Sequence, residues 1–154
     1  MKAPVALAVL QFDWFHSITE KWGQVTSDMV VREISDVVRK WKRDSDVFGR
    51  VGEDRFAIIF VGVKAVSAQA IVNTLRDEID EACNERMSGL LKFTISSSIL
   101  DAQSGTLLGT LMRKALIPLG RAGKLGANIS FVNGVYEQHL GLGAANDATF
   151  MAHG

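Results

Sequence analysis

Residues 43–56, Arg-Asp-Ser-Asp-Val-Phe-Gly-Arg-Val-Gly-Glu-Asp-Arg-Phe, constrain this chain more than any other stretch. An amphipathic segment ends at Arg43, a weakly alternating run leads to Val51, and Phe56 opens the apolar run 56–61. Two extended runs around a Gly/acidic turn predict a β-hairpin, because glycine and acidic residues tolerate tight turns that β-branched and aromatic residues avoid. Its tip presents Gly52, Glu53 and Asp54, and its base carries Arg43 and Asp46. An acid at such a tip can hold a metal, and an Arg/Asp pair three residues apart can converge on one polar ligand.

The rest of the chain supplies partners for this hairpin. Residues 5–10 are almost continuously apolar, as in a strand buried on both faces, and polar groups first appear at Gln11 and Asp13. Phe15, Ile18 and Trp22 recur at helical spacing and Gly23 closes them. Ser27 or Asp28 is expected to cap a second helix with Met29, Val30, Ile34, Val37, Val38 and Trp41 on its apolar face. Residues 67–87 read as a third helix: Ala70, Ile71, Leu75, Ile79, Ala82 and Cys83 form its stripe, and Arg76 belongs to the polar cover. A strand is predicted at 91–100 around Phe93, Ile95 and Ser97, a helix at 107–119 interrupted by Pro118, and a last strand at 129–132. The Gly- and Ala-rich remainder, 133–154, reads as a flexible tail to a domain of residues 1–132. The predicted class is α+β, a largely antiparallel central sheet covered by helices.

Composition removes several classes of partner. Seventeen basic and seventeen acidic residues balance, so no bulk field draws DNA, RNA or an anionic membrane. No apolar run reaches the roughly 18 residues of a membrane span, and no signal peptide opens the chain. The single Cys83 excludes an internal disulfide and fits a reducing compartment, so a cytoplasmic location is expected. Trp14, Phe15 and Trp22 read as core or interface aromatics, while His139 and His153 stand in the tail without nearby partner ligands.

Residues 5–132 resemble a GGDEF domain, the nucleotidyl-cyclase palm-like family whose active members join two GTP into cyclic di-GMP. The resemblance rests on Phe12-Asp13-Trp14-Phe15, Ile18, Gly23, Asp28, Arg43-x-x-Asp46, Arg50-x-Gly52, Asp54, Phe56 and Gly126-Ala127-Asn128. It implies that the signature turn is degenerate, because Gly52-Glu53-Asp54-Arg55-Phe56 stands for Gly-Gly-Asp/Glu-Glu-Phe. Glu53 puts an acidic side chain where backbone would approach a triphosphate, and Arg55 replaces an acid. Asp54 falls on a metal-binding position and could ligate Mg²⁺ or merely form the turn. Gln11 holds the position of the other metal carboxylate, and an amide is a poor ligand for so hard a cation. His16 and Gly123 stand for phosphate-contacting lysines, and Thr19 stands for a guanine-contacting Asn while Asp28 matches.

By the same resemblance, Arg43 and Asp46 match the inhibitory site that binds cyclic di-GMP. A guanidinium fork suits phosphate oxygens or the guanine O6/N7 edge, and a carboxylate suits guanine N–H groups. Both residues could instead form a helix-end contact and a polar turn. The expectation is a catalytically inactive cyclic di-GMP receptor relaying to a protein partner or a second copy, with no cofactor. A nucleotide-independent interaction or dimerisation module is the alternative, and a residual GTP-binding domain or weak cyclase is the third reading.

Overall fold

The computed structural model describes residues 3–87, 89, 94–103, 105–122, 125 and 127–138. The apolar run behind Pro4 becomes strand β1 (Val5–Phe12), and the chain then turns sharply at Trp14. Helix α1 (Phe15–Trp22) follows, and α2 (Gln24–Trp41) starts directly after Gly23. Neither Ser27 nor Asp28 caps α2, a correction to the sequence reading. Gly23 takes the cap position at φ 89°, and Ser27 lies one turn inside, its Oγ donating to the carbonyls of Gly23 and Gln24. Only a residue free of a Cβ turns cheaply there, so the helix begins earlier than its polar side chains indicate.

The predicted hairpin forms from β2 (Val47–Arg50) and β3 (Arg55–Val61), antiparallel with Arg50 opposite Phe56. Helix α3 (Ala65–Arg86), strand β4 (Ile95–Asp101), helix α4 (Leu108–Leu119) and strand β5 (Ile129–Val132) complete the expected series. Strand β4 thus starts four residues later than predicted, and Phe93 lies outside the described residues. Pro118 stands in the last turn of α4, where the helix ends one residue on.

A sixth strand, β6 (Val135–Gln138), pairs with β5 and corrects the domain boundary at 132. Asn133 and Gly134 both have positive φ, 50° and 80°, the geometry of a two-residue hairpin turn whose twist matches that of the strands. The Asn-Gly pair between two valines carried this signal in the sequence. Residues 139–154, including His139 and His153, lie outside the described residues.

The strand order is β2-β3-β1-β4-β5-β6, antiparallel throughout except for the β4–β5 pair. Alternation along β1 sends Ala6, Ala8, Leu10 and Phe12 to a core shared with Val30, Ile34 and Val38 of α2 and Val72, Leu75 and Ile79 of α3. Leu7 and Val9 face the other way, against Leu111, Ala115 and Leu119 of α4. Burial on both faces explains why β1 reads as a continuous apolar run. At the rim, Phe15 and Trp22 pack against the first core, whereas Trp14 is half exposed. No described helix is long and apolar enough to cross a membrane.

Candidate functional site

The hairpin tip is built without strained backbone. Val51 N donates to Arg55 O at 2.9 Å, and Arg50 donates from Nε to Gly52 O (3.0 Å) and from Nη2 to Glu53 O. None of residues 52–54 has positive φ, and a Cβ on Gly52 would meet nothing nearer than 3.8 Å. Glu53 therefore occupies a position expected to need glycine at no conformational cost. What the substitution removes is close backbone approach to a ligand.

Gln11 and Arg55 face each other across the β1–β3 ladder. Arg55 Nε donates to Gln11 Oε1 at 3.1 Å, and the adjacent rung closes with Phe12 N donating to Asp54 O at 2.7 Å. The amide oxygen that a metal would need from position 11 already accepts from a cation. Among the described residues, no group of three or more His, Cys, Asp or Glu side chains is placed to hold a metal ion. The residues at this hairpin do not fit the divalent metal that the resemblance implies.

Two other positions carried over by the resemblance are engaged within their own helices. Thr19 Oγ1 donates to Phe15 O (3.2 Å), and exposed Asp28 accepts from Gln24 Nε2 at 2.8 Å. His16 is exposed in the first turn of α1. Gly123, Lys124 and Gly126 lie outside the described residues.

Asp13 has a role that sequence reasoning did not assign. It is buried, and its Oδ2 accepts from Thr94 Oγ1 (2.7 Å), Ser96 Oγ (2.9 Å) and Asn128 N (3.0 Å). Ala127 and Asn128, both left-handed at φ 61° and 54°, bend the chain toward this carboxylate. Arg76, read from sequence as surface cover, is only 4% exposed and donates from Nη2 to Asn128 Oδ1 at 2.8 Å. Burial pushes the Arg76 guanidinium down to about 10, and the charges of Asp13 and Asp77 oppose that shift. A polar residue on the α3 stripe was the available sequence signal, but nothing local reveals a partner 52 residues away.

At the other end of the hairpin, Arg43 and Asp46 form a closed clasp. Arg43 Nη2 meets Asp46 Oδ1 at 2.8 Å, while Arg43 Nε (3.2 Å) and backbone N (2.9 Å) meet Oδ2. The same Nη2 reaches Val61 O at 2.6 Å, tying the α2 exit to the end of β3. Side-chain exposure is 53% for Arg43 and 2% for Asp46. Burial raises the Asp46 carboxyl, but the side-chain and backbone hydrogen bonds of Arg43 and its charge outweigh that and hold it below the ordinary carboxylate value. The hydrogen bond to Asp46 raises the Arg43 guanidinium correspondingly. Arg43 Nη1 has no hydrogen-bond partner among the described residues, so its outer edge is open to a ligand.

Comparison with known proteins matches residues 1–128 to the family described as "Diguanylate cyclase, GGDEF domain". The probable diguanylate cyclase DgcT of Escherichia coli is 22% identical over 108 residues, 69% of this chain and 24% of that protein. Diguanylate cyclase DgcS of Shewanella oneidensis is 34% identical over 58 residues, 38% of this chain and 20% of that protein. The chain thus spans a quarter or less of either relative's length. Among solved structures, the Caulobacter crescentus DgcB GGDEF domain in complex with c-di-GMP superimposes with TM-score 0.71 at 24% identity, covering 86% of this chain and 79% of that one. Pseudomonas aeruginosa diguanylate cyclase SiaD in complex with its activator SiaC gives TM-score 0.71 at 21% identity, over 84% of this chain and 50% of that one.

Proposed function

Since the chain belongs to the diguanylate cyclase GGDEF-domain family, we propose that it is a signalling domain that binds cyclic di-GMP without making it, and relays occupancy to a protein partner or a second copy. The observation that carries inactivity is the Arg55–Gln11 hydrogen bond. Phosphoryl transfer needs divalent metal to gather and neutralise phosphates, and this hairpin offers an amide and a fixed cation instead. Glu53 adds a negative side chain on the approach to the tip.

Exposure of Arg43 at the matching motif spacing supports the receptor reading. Because Asp46 is buried against Arg43, its proposed part is to aim the guanidinium rather than to touch guanine itself. The similar DgcB domain was solved with c-di-GMP, and the cyclase SiaD with its activator SiaC, which supports reading this domain as one that meets both a ligand and a protein partner. The proposed setting is the cytoplasm, where the single buried Cys83 stays reduced. One observation favours a nucleotide-independent interaction module: both Asp46 oxygens are already taken.

Calorimetric titration with cyclic di-GMP separates the two. Binding is expected, and Arg43→Ala should remove a charge-assisted contact of about 1.5–3 kcal/mol, or roughly tenfold to more than a hundredfold in affinity. Equal binding by Arg43→Ala moves the site elsewhere, and no binding by the unmodified protein leaves the interaction module. Incubation with GTP and Mg²⁺ or Mn²⁺ is expected to yield no cyclic di-GMP, and turnover would refute inactivity.

A further inference from the structure

We infer that Arg55, over and above the missing carboxylate at position 11, keeps divalent metal off this hairpin; the arginine serves as a resident cation. The inference rests on the inactive reading above and adds which residue enforces it. Gln11 alone would be an incomplete obstacle, since an amide oxygen, though a poor ligand for a hard cation, can still serve beside carboxylates and water. Arg55 differs in kind. Its Nε lies 3.1 Å from Gln11 Oε1, so the guanidinium stands at the oxygen through which position 11 would reach a metal.

The register holds it there. Gln11 and Arg55 are direct partners in the antiparallel ladder, and the next rung is closed by the Phe12 N to Asp54 O bond. Among the described residues no carboxylate forms an ion pair with Arg55. A divalent cation arriving beside Asp54 would meet this positive group at the oxygen of position 11.

The consequence is a specific failure of the obvious repair. With Arg55 present, a carboxylate introduced by Gln11→Asp lies within reach of the guanidinium, and an arginine–carboxylate fork forms in preference to a metal site. Removing the arginine charge at the same time leaves that carboxylate and Asp54 free to coordinate.

Mn²⁺ titration of the ¹⁵N-labelled protein tests this through paramagnetic broadening of backbone amides, without reference to activity. Selective broadening at residues 11–13 and 52–56 is expected to be absent in the unmodified protein and in Gln11→Asp. It should appear in Gln11→Asp/Arg55→Gln, with Mn²⁺ bound at least about tenfold more tightly than by Gln11→Asp alone. The charge-preserving Gln11→Asp/Arg55→Lys should resist metal as Gln11→Asp does, and amide dispersion in the same spectra reports whether each variant is folded. Metal binding by the unmodified protein, equal binding by Gln11→Asp and the arginine-free double variant, or none by a folded double variant would each overturn the inference. Metal binding by Gln11→Asp without cyclic di-GMP synthesis would overturn it while leaving the inactive reading intact.

Discussion

Asp13 is expected to be among the most costly polar positions to alter, and the cost follows from its contacts. One oxygen, Oδ2, accepts three hydrogen bonds: from Thr94 and Ser96 on β4 and from the backbone of Asn128 before β5. Thr94 and Asn128 are partly exposed and can recover water, but Ser96 is fully buried and cannot. Arg76, 4% exposed, would lose an opposing charge. An orphaned buried donor costs about 1–3 kcal/mol. Asp13→Ala is therefore expected to destabilise by roughly 2–3 kcal/mol, the upper part of that range, because three donors lose one charged acceptor. Asp13→Asn preserves an acceptor oxygen and loses only charge, and should cost about 1–2 kcal/mol. Urea unfolding with an unchanged m value provides the measurement. If Asp13→Ala stays within about 0.5 kcal/mol of the unmodified protein, as an ordinary surface change does, this account of the β1 end is wrong.

Three further outcomes are expected. Asp46 has its carboxyl depressed in the fold, so its stabilising contribution is complete above the unfolded value of 3.8 and is lost as pH falls through the lower folded value. Asp46→Asn should therefore flatten the acid limb of stability against pH, and an unchanged limb would show that the clasp contributes nothing. Burial, aided by the charges of Glu33 and Asp80, pushes the Cys83 thiol up to about 12; a thiol reagent should label it only after denaturation, and rapid native labelling would contradict its packing. Ser98 Oγ is buried with no hydrogen-bond partner among the described residues. Ser98→Ala should therefore leave the melting temperature unchanged or raise it, by up to about 1 kcal/mol of stability, and a clear loss would reveal a partner.

Local pattern alone determined most of the elements. The 3.6-residue recurrence of α1, α2 and α3 needs no partner to be recognised, and the Gly-Glu-Asp tip announces a turn wherever the strands end up. The continuous apolar run of β1 also announced burial on both faces, which places it inside the sheet. Even β6 was legible, since Asn133-Gly134 between valines is a hairpin signal in its own right. The Arg43/Asp46 pair, three residues apart, was visible as a pair, and the fold decided that it closes on itself and reaches Val61.

Tertiary structure decided what lies far apart in sequence. Arg55 meets Gln11 across 44 residues because β1 and β3 adopt one register, and a slip by one residue would put the two side chains on opposite faces of the sheet. Asp13 finds partners 81, 83 and 115 residues away because β4 and the loop before β5 converge on the end of β1. Arg76, grouped by its charge with the polar cover of α3, is buried, and its guanidinium donates to Asn128, 52 residues away. Periodicity reports only which face of an element is apolar. The chemistry at the end of β1 depends on which elements become neighbours, and only the packed sheet establishes that.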